Sequence, residues 1–240
     1  RRRHTRSFHV TGVQTCALPI LPKPFMTAHI SPTSDLSGLM LEARDLTCVR
    51  GDRRLFSGVG FSMTAGDCLH VRGENGVGKT SLLRLLTGLS KPESGEVLWN
   101  SKSITQESSA FHRELLFLGH RDALKDELSA LENLQMYAAL DDIKLSLKDA
   151  LAALARFGLR GRENLPIHCL SAGQKRRVLM ARMLTRNARL WILDEPFNAL
   201  DVRAIDQLEV LIAEHLAKGG MLVLTSHQAV KLPTVKVLDL

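Results

Sequence analysis

No apolar run in this chain comes near the roughly 20 residues that a membrane-crossing helix needs; runs such as Leu190–Leu193 fall far short. Work at a membrane therefore calls for a partner that spans it. Cysteine is scarce. The four cysteines, Cys16, Cys48, Cys68 and Cys169, form no C-x-x-C pair and have no zinc-ligand spacing. Three lie in or beside apolar segments and read as buried thiols, which suits a reducing, cytoplasmic compartment. There is no internal repeat and no heptad stretch long enough for a coiled-coil insertion. A strong charge is missing as well. The net charge is +7, but residues 1–38 hold five Arg/Lys against one acid, leaving only +3 for residues 39–240. A body so mildly basic gives no argument for a nucleic-acid partner.

What is present divides at about residue 38. Residues 1–38 lack helical or strand periodicity and carry half of the chain's eight prolines, Pro19, Pro22, Pro24 and Pro32. Val10–Ile20 resembles translated sequencing-adapter DNA, and the segment reads as a disordered or non-native leader. Its Arg-rich, acid-poor composition would also suit a targeting peptide. Met40 and Met26 are the candidate starts.

From residue 39 the patterning is that of one domain with a real core. Leu41–Leu46 and Phe61–Met63 read as strands of a β-rich opening. Cys68–Arg72, Leu190–Leu193 and Met221–Thr225 are short apolar strands alternating with the helical patterns Lys79–Leu86, Ser171–Thr185 and Asp201–Leu216. That alternation predicts an α/β fold with a mostly parallel core sheet covered on both faces. Glu96–Trp99, Leu115–Gly119 and Val235–Leu240 are strand-like. Residues 101–170 read as mainly helical, with Ser129–Leu140 and Leu147–Phe157 in helical spacing, so an inserted helical subdomain is expected there.

Three motifs carry chemistry. Gly73-Glu74-Asn75-Gly76-Val77-Gly78-Lys79-Thr80, followed by Ser81, matches G-x-x-x-x-G-K-[ST] between a strand and an apolar helix. Glycines let successive backbone N–H groups turn inward around phosphates. Lys79 then reaches the β- and γ-phosphates, the Thr80 hydroxyl ligates Mg²⁺, and the helix points its positive end at the anion. The bland alternative is a glycine turn that merely opens a helix. Second, the strand Leu190–Leu193 ends in Asp194-Glu195-Pro196. Ligands in such sheets sit at the carboxyl ends of strands, so Asp194 is placed to hold Mg²⁺ and Glu195 to polarise an attacking water; standing alone, the pair would read as a solvated strand end. Third, Ser171-Ala172-Gly173-Gln174 opens a basic helix. It reads first as a capping box, although an exposed helix N-terminus with a Ser hydroxyl and a Gly amide also suits an anion.

Together with Asn198-Ala199-Leu200-Asp201 and Ser226-His227, these motifs fall in the order seen in ABC ATPases, and residues 40–240 resemble that family. The resemblance implies a P-loop NTPase fold, ATP and Mg²⁺ as ligands, and a homodimer across two ATP sites. It also implies polytopic membrane subunits as partners and a peripheral place on the cytoplasmic face of the bacterial inner membrane. Lys79, Glu195 and His227 would be catalytic, His227 contacting the γ-phosphate. Ser171, Ala172, Gly173 and Gln174 would act in trans on the partner's ATP, and Asp201 would link the two sites. The adenine-stacking aromatic is replaced by Arg50, whose guanidinium can still stack on a base. His120 stands where the family usually has Gln, in the loop that meets both the γ-phosphate region and the membrane partner. Those departures, with Leu85–Leu98 and Trp191–Phe197, resemble the ATP-binding subunits of cytochrome c maturation haem-export systems. The alternatives are the ATPase subunit of another ABC exporter, or a soluble ABC protein acting on ribosomes or DNA and not coupled to transport. Such soluble proteins usually carry two modules or long coiled coils, and this chain has neither.

Overall fold

The computed structural model describes residues 39–120, 123–227 and 235–240, so the expected leader at 1–38 lies outside the described residues. Two sheets form the frame. The first is antiparallel, in the order β2-β1-β4-β5, with β1 Met40–Arg50, β2 Arg53–Thr64, β4 Ser94–Trp99 and β5 Lys102–Ser103. The second is parallel, in the order β6-β7-β8-β3-β9, with β3 Cys68–Arg72, β6 Leu115–Leu118, β7 Leu190–Asp194, β8 Met221–Thr225 and β9 Lys236–Asp239. The helices are α1 Lys79–Leu86, α2 Ser108–Glu114, α3 Ala130–Leu140, α4 Leu147–Arg156, α5 Ala172–Thr185 and α6 Val202–Ala217, with a 3₁₀ turn at Ile167–Cys169. None of the helices among the described residues is long and apolar enough to cross a membrane.

The continuous apolar runs of β7 and β8 follow from burial on both faces. Successive side chains point to opposite sides of the sheet. Leu222 and Leu224 join Trp191, Leu193 and the inward faces of α3, α4, α5 and α6. Met221, Val223, Leu190 and Ile192 join α1 and the antiparallel sheet. The parallel sheet thus separates two cores, and its strand ends meet the phosphate loop. β6 pairs with β7 from Leu115↔Leu190 to Leu118↔Leu193. The 101–170 stretch therefore contributes β5, α2 and β6 to the core before its two longer helices, α3 and α4, pack on α5. Cys48 and Cys68 are buried as expected, whereas Cys169 is exposed at the end of the 3₁₀ turn, just before the helix-opening motif.

A half-buried base, His215, makes stability depend on pH. The His215 ring lies flat on Trp191, centroids 3.7 Å apart and planes 5° from parallel, and its Nε2 is 3.2 Å from the Met221 carbonyl. Burial opposes its protonation and lowers the pKa from 6.5 to about 4. The unfolded ring binds a proton below about 6.5, but the folded ring does so only near 4, so acidification between those values favours unfolding. The stabilisation is whole above about pH 6.5 and is lost by pH 4, on the order of 3 kcal/mol in all. His215→Phe keeps the stack but cannot protonate. Its melting temperature should fall less than wild type's between pH 7 and 4.5, and parallel curves would contradict the assignment.

Candidate active site

The phosphate loop joins β3 to α1. Gly76 sits at φ 81°, where a non-glycine residue would be strained, and a Cβ built there meets nothing within 4 Å. Gly78, at φ 123°, is crowded instead, with Phe56 Cδ1 3.0 Å from a built Cβ and Leu55 Cβ 3.2 Å away. β2 thus packs on the loop's last turn and fixes where α1 begins. No side chain caps α1 and no acid lies in its first turn, so its N-terminal amides keep their positive end. Lys79, half-buried, donates from Nζ to the Gly73 carbonyl at 2.7 Å and the Glu74 carbonyl at 3.1 Å, tying the loop to itself.

Two strands and α1 converge on Asp194. Its Oδ2 accepts from Thr80 Oγ1 at 2.9 Å and its Oδ1 from Thr225 Oγ1 at 2.7 Å. The Thr225 Oγ1 also accepts the Glu195 N–H at 2.9 Å. The Thr225 hydroxyl, at the end of β8, therefore fixes both members of the acidic pair. Glu195 is 9% exposed and stands at φ 49°, a left-handed conformation that costs a non-glycine residue about 1–2 kcal/mol. Its buried Oε1 has no hydrogen-bond donor of good geometry, and His227 Nε2 lies 3.4 Å from it. An under-satisfied carboxylate oxygen beside an exposed imidazole is suited to accept a proton from a water.

The other expected residues occupy a second region. Ser171 and Gln174 form the reciprocal capping box: the Gln174 N–H donates to Ser171 Oγ at 3.3 Å and the Ser171 N–H to Gln174 Oε1 at 3.0 Å. The bland reading of this motif is thus realised. Ser171 and Ala172 are still exposed, and the Ser171 hydroxyl keeps its proton for a further acceptor. Gly173 backs onto the Asn198–Asp201 turn, where an added Cβ would lie 2.9 Å from the Ala199 carbonyl. Asp201 caps α6 through the Ala204 N–H at 2.9 Å and pairs with Arg177 at 2.5 Å. The Ala204 amide and then Arg177 hold its carboxyl below the ordinary range. Among the described residues no hydrogen bond or ion pair joins Ser171, Ala172, Gly173 or Gln174 to the phosphate loop. His120 is exposed just past β6. Arg50, at the tip of the β1–β2 hairpin, donates to Ser90 Oγ at 3.0 Å.

A family model described as ABC transporter matches residues 56–198, more than half of the chain. The chain belongs to the ABC transporter family. It is an ATP-using ABC ATPase. The chain is 52% identical over 201 residues to the cytochrome c biogenesis ATP-binding export protein CcmA of Dechloromonas aromatica, covering 84% of this chain and 98% of that protein. It is 48% identical over 198 residues to the protein of the same name from Escherichia coli K12, covering 82% and 94%. Among solved structures, an ABC transporter ATP-binding protein from Pyrococcus furiosus superposes with a TM-score of 0.72 at 26% identity, covering 83% of this chain and 97% of that one.

Within this ABC ATPase, sequence reasoning missed two positioning residues, Thr225 and His70. His70 is 3% exposed in β3. Its Nδ1 accepts from Arg72 Nε at 3.4 Å, which leaves Nε2 to donate to the Ser226 carbonyl at 3.0 Å. The imidazole thus braces the residue just before His227. Thr225 had a signal, a hydroxyl ending an apolar strand beside Ser226-His227. His70 had none, because its partner lies 156 residues away.

Proposed function

We propose that this ABC ATPase is the ATP-hydrolysing subunit of a cytochrome c biogenesis haem-export system. It works as a homodimer held on polytopic membrane subunits at the cytoplasmic face of the bacterial inner membrane. The observation that carries the enzymatic half is the hydrogen-bonded chain Thr80–Asp194–Thr225–Glu195, which joins the phosphate loop to the acidic pair. The transport half rests on the CcmA relatives, whose length this chain covers almost entirely.

The residues fit Mg²⁺. A hydroxyl and a carboxylate oxygen 2.9 Å apart, Thr80 Oγ1 and Asp194 Oδ2, are hard oxygen donors. Among the described residues there is no cluster of three or more His, Cys, Asp or Glu that would make a full protein cage. That is the donor set of an ion held by one or two protein oxygens and the phosphates. When bound, Mg²⁺ would neutralise charge on the phosphate oxygens. Lys79 would leave the Gly73 and Glu74 carbonyls for those phosphates, and the α1 amides would cradle them. Glu195 would take the proton of the attacking water while His227 holds the γ-phosphate. Ser171 and Gly173 of the second copy would close the site, so without nucleotide the isolated chain should be mostly monomeric. Arg50 would release Ser90 to stack on the base.

His120 follows the strand that ends beside the acidic pair and is open to a partner. In the assembled complex, His120→Ala should leave nucleotide affinity within about twofold but cut partner-stimulated turnover several-fold, and His120→Gln should recover most of it because a neutral donor and acceptor return. The complex is obtained by copurifying the tagged chain with membrane protein in detergent. Absence of any polytopic partner would sink the transport reading. Equal stimulated rates in the three forms would sink the role of His120.

A further inference from the structure

We propose that Arg176 is a positioning residue for hydrolysis: it holds the catalytic turn Asp194–Pro196 and the carbonyl at the start of the His120 loop in one fixed arrangement with the helix that bears Ser171 and Gly173.

Arg176 lies in the second turn of α5 and is only 6% exposed. A buried guanidinium is retained where its fixed fork of donors meets several acceptors at once. One of its terminal nitrogens donates to the Asp194 carbonyl at 3.1 Å and to the Glu195 carbonyl at 2.9 Å. Its Nε donates to the Pro196 carbonyl at a longer 3.4 Å, and the other terminal nitrogen to the Gly119 carbonyl at 3.4 Å. Three consecutive carbonyls of the catalytic turn thus converge on one side chain, and the fourth belongs to the peptide leading into His120.

This explains how Glu195 stays left-handed. Its N–H is fixed from β8 by the Thr225 hydroxyl and its C=O from α5 by Arg176. Strain of that kind persists only where the surroundings determine it. The carboxylate direction, and so its approach to His227 Nε2, follows from the backbone held between these two clamps. Arg176 also lies two residues past Gln174 on the helix whose first turn would meet the second copy's ATP. A shift of α5 on docking would therefore move the carbonyls around this chain's own base. A lysine in its place is a point charge that cannot span these acceptors, and a glutamine reaches one or two.

The proposal rests on Glu195 as the base, so the test carries Glu195→Gln alongside. With the full chain, steady-state ATP hydrolysis, nucleotide affinity and melting temperature are measured for wild type, Arg176→Lys, Arg176→Gln and Arg176→Ala. The expected result is kcat lowered about 10- to 100-fold, since an ångström of misplacement costs that much, with KM and nucleotide affinity within about twofold. Lysine should not restore the rate. Guanidinium chloride at millimolar concentration should partly restore Arg176→Ala, and equal sodium chloride should not. A wild-type rate in Arg176→Gln beside an inactive Glu195→Gln would overturn the inference alone. A parallel loss of rate, affinity and melting temperature with no guanidinium rescue would reduce Arg176 to a structural residue. A wild-type rate in Glu195→Gln would overturn the reading of the base and this inference with it.

Discussion

Glu195→Gln should bind ATP with near wild-type affinity and hydrolyse it at least about 100-fold more slowly, the lower range of what a general base contributes. The substitution preserves shape. Glu195 reaches its left-handed φ of 49° through backbone partners, and the Thr225 hydroxyl on its N–H and Arg176 on its carbonyl remain in the variant. What is lost is the charge on a buried carboxylate whose Oε1 lacks a well-directed donor and lies 3.4 Å from His227 Nε2. An amide there can still hold a water but cannot take its proton. If ATP joins two copies and hydrolysis releases them, the variant should accumulate as a dimer in ATP and remain monomeric without it. Steady-state phosphate release and sedimentation with and without ATP measure the two halves separately. A wild-type rate would remove Glu195 from the chemistry. A slow but monomeric variant would leave the base in place and refute the ATP-bridged dimer.

Much of this site was legible because each motif is contiguous. A phosphate loop needs its glycines, Lys79 and Thr80 side by side, and a buried strand such as β7 shows both its apolar run and the acids at its end. What joins the motifs was not legible. Thr225 meets Glu195 across 30 residues, Arg176 meets Gly119 across 57, and His70 meets Ser226 across 156. No local periodicity records such pairs. Arg176 and Arg177 look alike in sequence as part of a basic run, yet one is buried against the catalytic turn and the other pairs with Asp201.

The fold shows the same division. β7, β8 and β3 stand where their apolar runs predict. β1 runs on to Arg50 rather than ending at Leu46, because its inward positions change parity. Leu41 and Ala43 face the core, the register slips between Ala43 and Leu46, where Asp45 takes φ 47°, and then Leu46 and Cys48 face it. A bulge of this kind breaks the two-residue alternation that a sequence reading follows. β5 and the expected strands' longer reach in β2 depend on pairing to β4 and β1, which no window of sequence contains.

The other large effect belongs to Lys79. Lys79→Ala should lower ATP affinity at least about 100-fold, on the scale of losing a single well-placed donor to a developing or fixed oxyanion, and leave hydrolysis undetectable. The ammonium does two things in succession. It clamps the Gly73 and Glu74 carbonyls at 2.7 and 3.1 Å, which keeps the loop wound in the shape that presents its N–H groups. With nucleotide it would exchange those carbonyls for phosphate oxygens at little reorganisation, since it already lies within the loop. Alanine forfeits both the charge and the winding, whereas the core is untouched, because Leu82, Leu83, Leu85 and Leu86 supply the buried face of α1. The melting temperature without nucleotide should therefore stay within a few degrees of wild type, a change of at most about 1 kcal/mol, while the rise on adding Mg-ATP should vanish, since a ligand stabilises only what it binds. Lys79→Arg separates the two contributions. It keeps the charge but puts a wider planar group where a compact ammonium sits between two loop carbonyls, so it should recover some binding and little turnover. Binding is measured with a fluorescent ATP analogue and hydrolysis by phosphate release. An alanine variant that binds ATP within about threefold of wild type would mean that the α1 amides hold the phosphates unaided and that Lys79 serves only to shape the loop.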